Sequence, residues 1–175
     1  MPAGSKKTSV KCVRPGDVLR TNPLGEYWVA SIVLATQSKT AQFNELCVVG
    51  VTTAVFRREF SLTDLDVGSL RLQRRVNRSR IEVPCLYIYA ARLYEGVSVL
   101  GSVESGNLHT EPIRFEIGDG QDGCWPSCGK LTSSLGVEAV HEWRRINDHE
   151  QWALDASAAR QSHEEMLARL KGKEA

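Results

Sequence analysis

The stretch from Cys47 to Phe56 carries six β-branched residues, Val48, Val49, Val51, Thr52, Thr53 and Val55, and no charge. Side chains branched at Cβ have one favoured χ1 in a helix and fit better on a pleated surface. This is the strongest strand signal in the chain. Tyr27–Thr36 reads as another strand: it is rich in aromatic and β-branched residues, and the continuous apolar Ile32-Val33-Leu34-Ala35 suggests burial on both faces. Val18–Arg20 reads as a shorter strand, bounded by Pro15-Gly16-Asp17 on one side and by Asn22-Pro23 and Gly25 on the other. Val83–Leu93 reads as another, with Pro84 confined to its first residues, and after Gly96 its partner follows at Val97–Val103.

The last 40 residues change period. Val137, Val140, Trp143 and Ile146 recur at helical spacing, and Asp148 with Gln151 three residues later has the pattern of a helix N-cap. A second helix then reaches about Lys171, with Trp152, Ala156, Ala159, His163, Met166 and Leu170 forming one stripe. Strands first and helices last predict an α+β fold. The expected form is a twisted antiparallel sheet, or a small barrel-like N-terminal part, with the C-terminal helices packed on it. Residues 1–8 read as a flexible basic arm and 9–175 as a single domain, sheet-rich over 9–123 with a loop and helices over 124–172.

At 175 residues the chain is long enough for one core without staples. Twenty-two basic residues against 21 acidic ones, a net charge of +1, argue against a strongly electrostatic binder of bulk nucleic acid or anionic membrane. No window approaches the roughly 18 apolar residues of a membrane helix, and the basic N-terminus lacks the apolar segment of a signal peptide. Cys12, Cys47, Cys85, Cys124 and Cys128 are odd in number and scattered, which fits free thiols in a reducing, cytoplasmic compartment.

Motifs for bond-making chemistry are absent. Cys124 and Cys128 are four apart, within the reach of a zinc site, yet no second Cys/His pair has matching spacing, so neither a metal nor any other cofactor is expected. His109, His141, His149 and His163 have no local partner pattern for general-base work. The chain therefore reads as a binding protein and not an enzyme. The candidate partner-binding residues fall in two segregated stretches. Arg71, Arg74, Arg75 and Arg78, with Arg80 beyond, could grip carboxylates or phosphates bidentately; otherwise they form a solvated connection between strands. Glu104, Glu111, Glu116, Asp119 and Asp122 form an acidic, glycine-rich excursion that could meet a basic surface or simply keep a long loop soluble. Trp125, in the Pro/Gly loop between two cysteines, is the candidate interface anchor.

Several of these segments resemble a known family. Pro15-Gly16-Asp17-Val18-Leu19-Arg20, then Gly25-Glu26-Tyr27 leading into a strand, is similar to the opening of the immunity protein 26 family. Leu86-Tyr87-Ile88-Tyr89 followed by Gly96-Val97-Ser98-Val99-Leu100-Gly101 resembles that family's second half, with Ser98 standing where the family often has Trp. The resemblance spans roughly residues 14–125. It implies an α+β fold and the neutralisation of a cognate bacterial toxin by occlusion of its active site. The alternative is a small nucleic-acid-binding domain that uses the basic arm and the Arg-rich segment.

Overall fold

The computed structural model describes residues 12–38, 45–76, 80–93, 95–106, 108–110, 113, 115, 124–126 (backbone only) and 131–171. Five strands, β1 (Asp17–Thr21), β2 (Trp28–Gln37), β3 (Leu46–Phe56), β6 (Leu86–Ala90) and β7 (Val97–Ser102), pair antiparallel in the order β7-β1-β2-β3-β6. A short strand β8 (Cys124–Pro126) adds parallel to the outer side of β6. The hairpin β4 (Arg74–Val76) and β5 (Glu82–Pro84) forms a separate two-stranded ladder. Helices α1 (Val137–Asn147) and α2 (His149–Lys171) follow. The fold is α+β. The barrel-like alternative is not what forms: among the described residues β7 and β8 remain at opposite ends of an open sheet.

The β-branched run dictates the centre. β3 lies between β2 and β6, and its residues from Cys47 to Thr52 are buried whichever face they take. On one face Val18, Ala30 and Ile32 pack with Phe60, Leu65 and Leu70, and Val48 packs with Leu72, Leu86 and Ile88. On the other, Gly136 lies against Val29 so closely that a Cβ would come within 2.7 Å of its Cγ1, and Thr21 Oγ1 donates to the Leu135 carbonyl at 2.6 Å. Segment 131–136 thus closes over the second face and carries Leu131 and Leu135 into burial. Ladder irregularities between Val18 and Leu19, Val29 and Ser31, and Val33 and Ala35 mark where bulges raise the twist.

The Pro15-Gly16-Asp17 signal forms a tight corner. Gly16, at φ +89°, donates to the Val33 carbonyl at 2.8 Å and accepts from Val103 N–H at 2.9 Å. The Asp17 carboxylate accepts from Arg14 N–H at 2.9 Å and from the Ser102 hydroxyl at 2.6 Å. One turn therefore ties β1 to both β2 and the end of β7.

The chain divides into two compact units between Ala139 and Val140. Within the second, the two helices are held by charge. Arg144 Nη1 donates to Asp155 Oδ2 at 2.5 Å, and Gln151 Nε2 donates to Asp155 Oδ1 at 3.0 Å. Burial pushes the Asp155 carboxyl up, but these hydrogen bonds and the charges of Arg144 and His141 outweigh it and leave it below its ordinary value. Asp148 caps α2 by accepting from Gln151 N–H at 3.3 Å, as the sequence predicts. The predicted stripe is covered only at its start: Trp152 and Ala156 are half-buried, whereas Ala159, His163 and Met166 are exposed. Helices of 11 and 23 residues are about 16 and 35 Å long, so α1 is too short to line the whole of α2. Among the described residues no helix is long and apolar enough to cross a membrane.

Candidate partner-binding hairpin

The Arg-rich segment is neither a loop nor part of the main sheet. It leaves and rejoins that sheet at one junction. Val51 N–H donates to the Cys85 carbonyl at 3.1 Å, Cys85 N–H to the Gln73 carbonyl at 2.7 Å, and Gln73 N–H to the Val51 carbonyl at 2.8 Å. This closed ring of backbone bonds is reinforced by Thr53 N–H donating to Arg71 C=O at 2.9 Å. Leu72 is clamped beneath it: its Cδ2 lies 2.6 Å from where a Cβ on Gly50 would stand, so Gly50 makes the room. The predicted strand from Val83 accordingly splits in two, β5 and β6, with buried Cys85 at the corner.

Beyond the junction, Arg74 pairs with Pro84, Arg75 with Val83 and Val76 with Glu82. Alternation along a strand sends Arg74 and Val76 to one face and Arg75 to the other. Burial follows: Arg74, Val76 and Glu82 are exposed, while Arg75 and Val83 are half-buried. Arg74 Nη2 donates to the Glu82 carbonyl at 2.9 Å, and its Nε lies 3.3 Å from Glu82 Oε2. An exposed ion pair of this kind contributes about 0.2–1 kcal/mol. Val76 and Ile81, which neighbour the arginines in sequence, are 67% and 60% exposed. Arg80 sits at φ +61°, the only described non-glycine residue with positive φ. For a side-chain-bearing residue this conformation costs roughly 1–2 kcal/mol.

The inward face has its own chemistry. The charge of Arg75 acts on Cys85 and Tyr87, and the Tyr87 hydroxyl donates a short hydrogen bond to Glu138 Oε1 in the first turn of α1. Burial pushes the Cys85 thiol up to about 11; Arg75 opposes this and Glu138 adds to it. Burial also raises the Tyr87 phenol far above its usual range, assisted by the Glu138 hydrogen bond. Tyr89 is pushed up to about 12 by burial and then by the charge of Glu138, and Cys47 to about 12 chiefly by burial. All four groups stay protonated near neutral pH. Cys47 and Cys85 are packing thiols, since the reactive form of cysteine is the thiolate.

Of the sequence-predicted site residues, the hairpin brings together Arg71, Arg74 and Arg75. Arg71 is exposed at its base and donates to the Leu70 and Gly68 carbonyls at 2.7 and 3.3 Å. Glu104 is exposed just beyond β7, on the far side of β1 and β2 from the hairpin. The backbone of Trp125 lies opposite Tyr87 in β8, where a loop was expected. Arg78, Glu111, Glu116, Asp119, Asp122 and Cys128 lie outside the described residues. Sequence reasoning missed Val76, Ile81 and Glu82 as parts of the same surface. It also missed the Tyr87–Glu138 bond, whose partners are 51 residues apart and leave no local signal. Among the described residues no group of three or more His, Cys, Asp or Glu side chains is placed to hold a metal ion. The chain matches no protein-family model, no curated protein and no solved structure.

Proposed function

We propose that this chain is a binding protein of the immunity type, which neutralises a partner bacterial toxin in the cytoplasm by covering its active site. The hairpin is the observation that carries the reading. It is anchored by a ring of backbone bonds and presents arginine next to exposed apolar side chains. A contact surface held in place before the partner arrives loses little conformational entropy on association. Arginine beside apolar groups is the composition in which interface energy concentrates. The resemblance to the immunity protein 26 family points the same way; its quoted segments form the turn into β1, the entry to β2, and strands β6 and β7 of one sheet.

The test is co-expression. Each protein encoded beside this gene is induced in a sensitive host with and without the chain, and growth is followed. One of them should arrest growth alone, be silenced by the chain, and co-elute with it on size exclusion. If no neighbouring product is neutralised, the reading fails.

A further inference from the structure

We infer that the hairpin recognises an acidic protein surface with an apolar centre, in preference to a phosphate backbone. This rests on the reading above, that the chain covers a partner protein, and adds the chemistry of the surface covered. The arginines alone do not decide the matter, because a guanidinium binds carboxylate and phosphate with the same fork. Their neighbours decide it.

Glu82 lies in the ladder on the outer face, beside Arg74, where it repels phosphate and carboxylate alike and so does not tell the two apart. Val76 and Ile81 offer a backbone of phosphates nothing, yet they are the kind of side chain that fills the dry centre of a protein interface. The chain as a whole, at +1, supplies no field of the kind that drives nucleic-acid binding. Carboxylates reaching Arg71, Arg74 and Arg80, with apolar groups against Val76 and Ile81, match the exposed groups described on the hairpin other than Glu82, which stays paired with Arg74.

The ladder also divides the arginines by task. Arg75 lies half-buried on the face of the ladder opposite Arg74 and Val76, where its charge is felt by Cys85 and Tyr87, and is assigned the part of a positioning residue. Arg71, Arg74 and Arg80 are the contact residues.

Fluorescence anisotropy of the full chain with three labelled probes tests this: a peptide alternating Glu and Val, one alternating Glu and Ser, and a short DNA duplex. The Glu–Val peptide should bind most tightly. Arg74→Glu together with Arg80→Glu should weaken it by about tenfold or more, and Val76→Ser with Ile81→Ser should erase the preference for Val over Ser. Arg75→Met should weaken binding with the contact arginines intact and speed amide exchange at Val83; Arg75→Lys should restore both. The substitutions at the exposed residues Arg74, Arg80, Val76 and Ile81 leave folding nearly unchanged, which the thermal midpoint checks, and the Arg75→Lys variant controls for the half-buried site. Tighter binding of the duplex, with a steep salt dependence, would overturn the inference, as would peptide affinity indifferent to the double reversal. A chain that binds the Glu–Val peptide through the hairpin but silences no toxin removes the neutralising reading alone; one that silences a toxin with the hairpin reversed removes this inference alone.

Discussion

The corner at residues 14–17 and the hairpin at 74–84 both begin, in sequence, as polar residues between strands, and they come to opposite ends. At the corner the polar atoms are turned inward: Asp17 is only 8% exposed and accepts from Arg14 N–H and the Ser102 hydroxyl. In the hairpin the Arg74 side chain is 51% exposed, and its ion pair with Glu82 lies open to water. A carboxylate desolvated inside a corner is costly unless fully bonded, so its partners are obligatory; an exposed guanidinium can exchange its partner for another at little cost. The comparison teaches that geometry, and not residue type, separates polar groups that build the fold from those able to serve a partner.

The comparison breaks first at Gly16. An alanine there would hold φ near +89° and place its Cβ 2.5 Å from the Val103 carbonyl oxygen, which is backbone and cannot swing away. Gly25 has a similar φ of +79° with nothing within 4 Å. Gly25→Ala should therefore cost only the conformational penalty, roughly 1–2 kcal/mol. Gly16→Ala should cost about 2 kcal/mol more, within the range of forced overpacking. Urea unfolding of both variants isolates the clash. Equal costs would mean that the corner does not lock β1 to β7.

A middle-sized effect is expected at Tyr87. Tyr87→Phe keeps the ring and removes the donor to Glu138, which should lower stability by about 1 kcal/mol. Because the charge of Arg75, which pairs with Val83 in the ladder, is felt at Tyr87, amide exchange at Val83 should rise as well. If stability falls with no change at Val83, the inner face is not held through this pair.

Arg80 sharpens the contrast from the hairpin's side. Arg80→Gly relieves a positive φ worth roughly 1–2 kcal/mol and adds the chain entropy of glycine, roughly 0.5–1 kcal/mol. The two nearly cancel, so the thermal midpoint should move little while affinity for the Glu–Val peptide falls. A clear loss of stability would show that Arg80 builds the hairpin instead of serving its contact face.

What could be read from the sequence follows the same division. The central strands were legible because β-branched runs at Val48–Val55 and Ile32–Val33 leave a chain no other way to bury itself, and the Asp148 cap was legible because capping is local. The hairpin was legible as charge and not as shape. Arg71, Arg74 and Arg75 were marked, but Val76 looked like an ordinary apolar residue, because its exposure depends on a junction closed by Val51, 25 residues earlier. The outer turns of α2 were misread for the converse reason: spacing predicts a stripe at Ala159, His163 and Met166, but only the length of a neighbouring helix decides whether it is covered.

The smallest expected effect comes from an exposed arginine that does build structure. Arg58, with 70% of its side chain exposed, donates to Asp64 at 2.6 Å at the end of a single 3-10 turn, Leu62–Asp64, behind Ser61. The Ser61 backbone N–H, then Arg58, then the Ser61 hydroxyl hold the Asp64 carboxyl down to about 2, against a slight opposing effect of burial. Because the folded value lies below the unfolded one, the stabilisation is complete above the usual carboxylate range near 4. It disappears as pH falls through about 2. The Asp64 side-chain carbon, followed by NMR, should titrate with a midpoint near 2. Arg58→Met should raise that midpoint toward the ordinary range without changing affinity for the Glu–Val peptide. If it weakened peptide binding instead, the acidic surface would extend beyond the hairpin, and Arg58 would belong with Arg74 as a contact residue.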